Sequence, residues 1–260
     1  FVVVATAQCA VARALAAEQL TQRVRDRQRI GIDVRGHIAA RGNVAQIGQQ
    51  AVGYIHRGMR DVAGQYSIDE IARDALSLAD ALQLETFSVA GHSMGGMAIE
   101  RIAVLAPQRV RSMLAIAPVP CGGIAYDAST RGLLESAAGS VASRRAIIDR
   151  STGGRLPAAW LDWKARYSME HSAPDAFAAY LAAWADTDFS DEIVGEHRLK
   201  VVVGGNDPTF NRSLMERTYL RRYRQATLQV LEDAGHYPMI ETPLALVAAM
   251  ESFLLSLPKR

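Results

Sequence analysis

Apolar residues along the chain fall into two kinds of pattern. Phe1–Ala5 is an unbroken run rich in β-branched residues, and short strand-like runs recur at Arg29–Val34, Thr86–Ala90, Ser112–Ala117, Leu199–Val203 and Thr227–Leu231. The first predicts a strand covered on both faces, Ser112–Ala117 another buried one, and the rest predict strands. Between them the spacing changes to that of helices. Ala10–Leu20 is rich in Ala and Leu, and Ile68, Ile71, Ala72, Ala75, Ala79 and Leu82 recur along one helical face behind Ser67 and Glu70, a Ser-x-x-Glu start signal. Met97–Ala106 predicts a helix that stops before Pro107, and another is expected around Ser213–Arg222. The last helix has Thr242 as cap, Pro243 at its first position and Leu244, Val247, Met250, Phe253 and Leu254 on its apolar face. His37–Gln65 carries weak periodicity and is assigned no element.

Strands alternating with helices predict βαβ units, hence an α/β fold with a mainly parallel sheet flanked by helices. The alternation stops between residues 122 and 197, where helical patches carry Trp160, Trp163, Tyr167, Phe177, Tyr180 and Trp184. Residues 1–121 and 198–260 are therefore expected to form the core, and 122–197 an inserted helical segment.

Composition narrows the classes. With 49% hydrophobic and 22% charged residues among 260, the chain can bury one domain, with or without an inserted subdomain. Basic residues number 29 against 27 acidic. Their one cluster, Arg221, Arg222 and Arg224, reads as a solvated helix face, so no nucleic-acid partner is expected. Cys9 and Cys121 form no disulfide framework and are expected to be buried free thiols. No two of His37, His56, His92, His171, His197 and His236 have the spacing of metal ligands on one helix, so neither a metal nor a cofactor is expected. No apolar run is long enough to span a bilayer and no signal-peptide layout opens the chain, which reads as soluble and cytoplasmic with no membrane partner. It begins at Phe1 without an initiator Met, so residues upstream are expected to be absent or processed.

Chemistry concentrates at Gly91-His92-Ser93-Met94-Gly95-Gly96, between a predicted strand and a predicted helix. A Gly-x-Ser-x-Gly turn in that setting presents a serine on a strained backbone, with glycines leaving room for strand and helix to approach each other. A serine hydroxyl needs a base, and a neutral imidazole needs a carboxylate to orient it. Asp207 and His236 both follow predicted strands, where sites in α/β sheets form. Asp233 is the rival acid, but it lies three residues from His236 on the same loop and reads as a turn residue. His92 reads as a structural neighbour of the serine.

The order Ser93, Asp207, His236, together with Gly-His-Ser-Met-Gly-Gly and Ala-Gly-His-Tyr-Pro-Met-Ile-Glu-Thr-Pro, resembles the α/β-hydrolase superfamily, particularly its serine esterase and cofactor-free haloperoxidase-like members. The resemblance implies Ser93 as nucleophile, His236 as general base and Asp207 as the orienting acid. It implies that residues 122–197 cap the site, with Trp160, Trp163, Tyr167 and Trp184 as candidate substrate contacts. One oxyanion donor would be the Met94 amide. The family usually places His-Gly at the other donor, whereas this chain reads Val4-Ala5-Thr6-Ala7-Gln8, which leaves that position to the Thr6 amide. Losing one such donor costs about 10²–10³ in rate. The expected activity is hydrolysis of a small or medium, largely apolar carboxylic ester or lactone. The same triad also serves carbon–carbon bond hydrolases, acyltransferases and perhydrolases, and a catalytically silent binding protein is the alternative outside enzymes. The expected partner is a small-molecule substrate, with homo-oligomerisation left open.

Overall fold

A computed structural model of the chain describes residues 2–5 and 66–256. The expected helix at Ala10–Leu20, the strand at Arg29–Val34, Thr6 and Cys9 lie outside the described residues. Among the described residues, five strands form one sheet in the order of the sequence: β1 (Val2–Ala5), β2 (Phe87–His92), β3 (Val110–Ile116), β4 (Arg198–Gly204) and β5 (Ala226–Leu231). β2 through β5 run parallel, as the alternation predicts. β1 departs from it: Val2 pairs with Gly91 and Ala5 with Ser88 in an antiparallel ladder. An apolar run signals burial but not direction, because direction is set by the partner strand.

Alternate residues of the parallel strands enter opposite layers, as the two-residue period of a strand requires. On one face Phe87, Val89, Met113, Ala115, Val201 and Val203 pack with α1 (Ile68–Ala81) and α2 (Met94–Leu105). On the other, Leu114, Ile116, Val202 and Leu231 meet the last helix, α10 (Pro243–Leu255). α1 begins where its cap signal places it, with the Ser67 hydroxyl accepting the Glu70 amide at 3.1 Å. On α10 the expected Phe253 is buried and Met250 and Leu254 pack against the core. Leu246 and Ala249 join them in the core, whereas Leu244, in the first turn, is 84% exposed.

Between β3 and β4 the chain forms α3 (Ala128–Ser136), α4 (Val141–Ser151), α5 (Ala158–Glu170) and α6 (Pro174–Asp186), followed by a 3₁₀ turn at Ser190–Glu192. Buried Arg144 on α4 ties three of these helices together. Its guanidinium donates to the Ala137 carbonyl just beyond α3 and to Ser168 on α5, and it lies 3.9 Å from the ring centroid of Phe177 on α6. The single helix expected around Ser213–Arg222 is two, α7 (Arg212–Arg217) and α8 (Tyr219–Arg222), broken at Thr218, where ψ is −83°. A short α9 (Pro238–Glu241) precedes α10. Among the described residues, no helix is long and apolar enough to cross a membrane.

Candidate active site

The turn at Ser93 is tighter than the sequence suggests. β2 continues to His92 and α2 starts at Met94, so one residue joins strand to helix, where a turn running to Gly96 was expected. Ser93 takes φ 55°, ψ −123°, outside the regions favoured by L-residues. The bend is possible because two side chains are missing. A Cβ on Gly91 would stand 2.0 Å from the Gly95 carbonyl oxygen, and one on Gly96 would stand 2.2 Å from Cβ of Pro118. Backbone hydrogen bonds then fix the turn. The Ser93 amide donates to Ile116 at 3.0 Å, and its carbonyl accepts from Gly96 at 2.8 Å and Val119 at 3.0 Å.

Asp207 and His236 reach the serine from the ends of β4 and β5. Gly204 permits this approach, since a Cβ there would lie 2.1 Å from the Gly235 carbonyl oxygen. Asp207 is buried, and its Oδ1 accepts the amides of Thr209 at 2.9 Å and Phe210 at 3.0 Å. Its Oδ2 remains for Nδ1 of His236, 2.7 Å away. Nε2 of His236 lies 3.1 Å from Oγ of Ser93. Nδ1 must donate to the carboxylate, which leaves Nε2 as the acceptor for the serine hydroxyl. Asp233, the rival acid, is exposed, and its carbonyl accepts from Arg155 at 3.1 Å.

His92 packs beside His236, with ring centroids 4.9 Å apart, and its Nε2 donates to the His236 carbonyl at 2.7 Å. Burial, reinforced by neighbouring His236, pushes its pKa well below the usual histidine range, so the ring stays neutral. Phe210 flanks His236 with centroids 5.0 Å apart.

Two carboxylates not singled out from the sequence also shape the site. Glu241 clasps the histidine loop: its oxygens accept the Gly235 amide at 2.8 Å and the Tyr237 amide at 2.9 Å, and Arg155 pairs with it at 2.8 Å. The only sequence signal for this is the glutamate five residues after the histidine. Glu100, on α2, is buried, and nothing in the local pattern marks it.

The aromatic residues between β3 and β4 are placed unevenly. Trp160 packs 6.1 Å from Tyr237, whose own ring is 5.2 Å from that of His236. Trp184 meets Tyr126 edge-on at 5.8 Å. Trp163 and Tyr167 are exposed. Met94 is half-buried at the first position of α2, where a backbone N–H has no partner inside its own helix.

The sequence profile of the alpha/beta hydrolase family matches residues 11–250. The chain belongs to the α/β hydrolase family. Among its relatives, the dihydrolipoyllysine-residue acetyltransferase component of the acetoin cleaving system of Pseudomonas putida is 26% identical over 191 residues, 72% of this chain and 50% of that one. The chain thus spans only half the length of that relative. Esterase YbfF of Escherichia coli (strain K12) is 26% identical over 196 residues, covering 71% of this chain and 73% of its own. Of solved structures, an esterase from Exiguobacterium antarcticum superposes with a TM-score of 0.66 at 15% identity, over 75% of this α/β hydrolase and 76% of that chain, a likeness of fold.

Proposed function

We propose that this α/β hydrolase cleaves a carboxylic ester or lactone of small to medium, largely apolar substrates through an acyl-enzyme on Ser93. The observation that carries the reading is the unbroken relay from Asp207 Oδ2 through His236 to Ser93 Oγ, at 2.7 and 3.1 Å. Nε2 of His236 takes the serine proton as Oγ attacks the carbonyl carbon, and returns it to the leaving oxygen as the tetrahedral intermediate collapses. Water then gives a proton to the same nitrogen and attacks the acyl carbon, which frees the acid and restores Ser93. Asp207 holds the imidazole in the tautomer that can accept, and stabilises its cationic form. The Met94 amide serves as an oxyanion donor, and the amino end of α2 favours the negative charge that develops there. Helices α3–α6 act as the cap, and Trp160, one ring away from His236 through Tyr237, and Trp184 are its candidate substrate contacts.

Release of p-nitrophenolate from short-chain p-nitrophenyl esters tests this reading, with wild type and Ser93→Ala run in parallel. A burst stoichiometric with enzyme, lost in the variant, is expected. Equal background release from both proteins, with longer esters and lactones also silent, would sink it.

A further inference from the structure

Beside the serine turn, bonded to the segment that follows β3, lies a buried polar cluster that the relay does not use. Glu100, Cys121, Tyr219 and Tyr223 are all at most 2% exposed. Oε2 of Glu100 accepts the Cys121 amide at 2.8 Å, and Oε1 accepts the Tyr223 hydroxyl at 3.1 Å. The Tyr219 hydroxyl donates to the Val119 carbonyl at 2.9 Å. Through the cluster, the segment from Ala117 to Cys121 is therefore held at Val119 and at Cys121. It starts from Ala117 at φ 40°, a left-handed conformation that an alanine adopts only under constraint.

This segment bears directly on the reacting end of the molecule. The Val119 amide donates to the carbonyl of Ser93 at 3.0 Å, and Pro118 closes onto bare Gly96 in the first turn of α2. The Ser93 carbonyl and the Met94 N–H belong to one peptide unit. In a planar trans peptide these two groups point in opposite directions. Anchoring the carbonyl from behind fixes the direction of the N–H in front. Burying a carboxyl group costs free energy unless it is hydrogen-bonded, so the bonds Glu100 makes are worth far more to the fold than the same bonds on the surface.

We infer that Glu100 and Tyr219 are positioning residues, which aim the Met94 amide at the oxyanion by clamping residues 117–121 onto the Ser93 carbonyl. The inference rests on the serine-hydrolase reading. It predicts a signature that simple destabilisation lacks: a misaimed donor weakens the transition state while leaving substrate binding alone.

The test uses the full chain as wild type, Glu100→Gln and Tyr219→Phe, comparing kcat, KM, inhibition by a phenylboronic acid that forms a tetrahedral adduct on the serine, and thermal unfolding. The expected result is a kcat about tenfold lower in each variant, KM within about twofold of wild type, and boronate inhibition weakened by about the same factor as kcat. Tyr219→Phe removes one hydroxyl and keeps the ring, so it reports even where Glu100→Gln lowers the melting temperature. Unchanged kcat and boronate affinity in Tyr219→Phe, with an active wild type, overturns the positioning role alone. A wild type that neither turns over esters nor binds the boronate overturns the hydrolase reading and this inference with it.

Discussion

The serine and the histidine arrive at one point by opposite means. Ser93 is placed by what is missing, the side chains of Gly91 and Gly96, and by backbone bonds from Ile116 and Val119. His236 is placed by what is added, a carboxylate from Asp207 on its ring and a second carboxylate, Glu241, across the amides on either side of it. The first arrangement tolerates almost no substitution, since a carbon atom has nowhere to go. The second is a set of separable contacts, each of which can be weakened by degrees.

Substitutions can test that contrast, taken from the largest expected effect downward. Ser93→Ala should lower kcat on p-nitrophenyl esters by about 10⁶, with the fold intact by circular dichroism. Asp207→Asn should cost about 10⁴ in kcat, because an amide can stabilise the wrong imidazole tautomer. Gly91→Ala should act on folding as well as on rate. Its Cβ meets backbone at 2.0 Å, and a loss of about 3 kcal/mol or more in denaturant unfolding is expected. If that variant keeps wild-type stability, the serine turn is more compliant than its close contacts imply.

Smaller effects separate the supports on either side. Burial raises the Glu100 pKa from 4.5 to about 7. Between those values the folded chain holds a proton that the unfolded chain has lost. Its contribution to stability is thus greatest below about pH 4.5, declines as pH rises and levels off above about 7. The slope is at most about 1.4 kcal/mol per pH unit, and Glu100→Gln should remove it from the pH dependence of chemical unfolding. Glu241→Gln should lower kcat by about tenfold, as one amide of the histidine loop loses its acceptor and Arg155 its partner. An equal loss from Gly91→Ala and Glu241→Gln would erase the distinction between the two modes of support.

How much of this was legible in the sequence follows the same division. The serine turn could be read because its glycines are adjacent in the chain and their purpose is steric. Strands β2 to β5 could be read because short runs rich in β-branched residues, spaced between helical patterns, have few other uses. The antiparallel course of β1 could not, since pairing direction is a property of two segments. Leu244 does not share the burial of the rest of its face, because periodicity gives the face of a helix but not whether each of its turns is covered by a neighbour. Asp207 was named from its place after β4, and what sets it apart from Asp233 is burial and the amides of Thr209 and Phe210. Glu100 was invisible. A lone glutamate in Met94–Leu105 resembles any solvent-facing position, and the tyrosines that bury it lie 119 and 123 residues further on.

The histidine loop also carries a consequence for motion. The His236 amide donates at 3.0 Å to the carbonyl of Ser151, the last residue of α4, and Gly235 is bare where Thr152 presses against it. The helices between β3 and β4 are thereby riveted at one corner to the backbone that bears the imidazole. Any displacement of Ser151 is passed through that hydrogen bond to the backbone of His236, so the position of these helices and the distance between the imidazole and Ser93 are coupled.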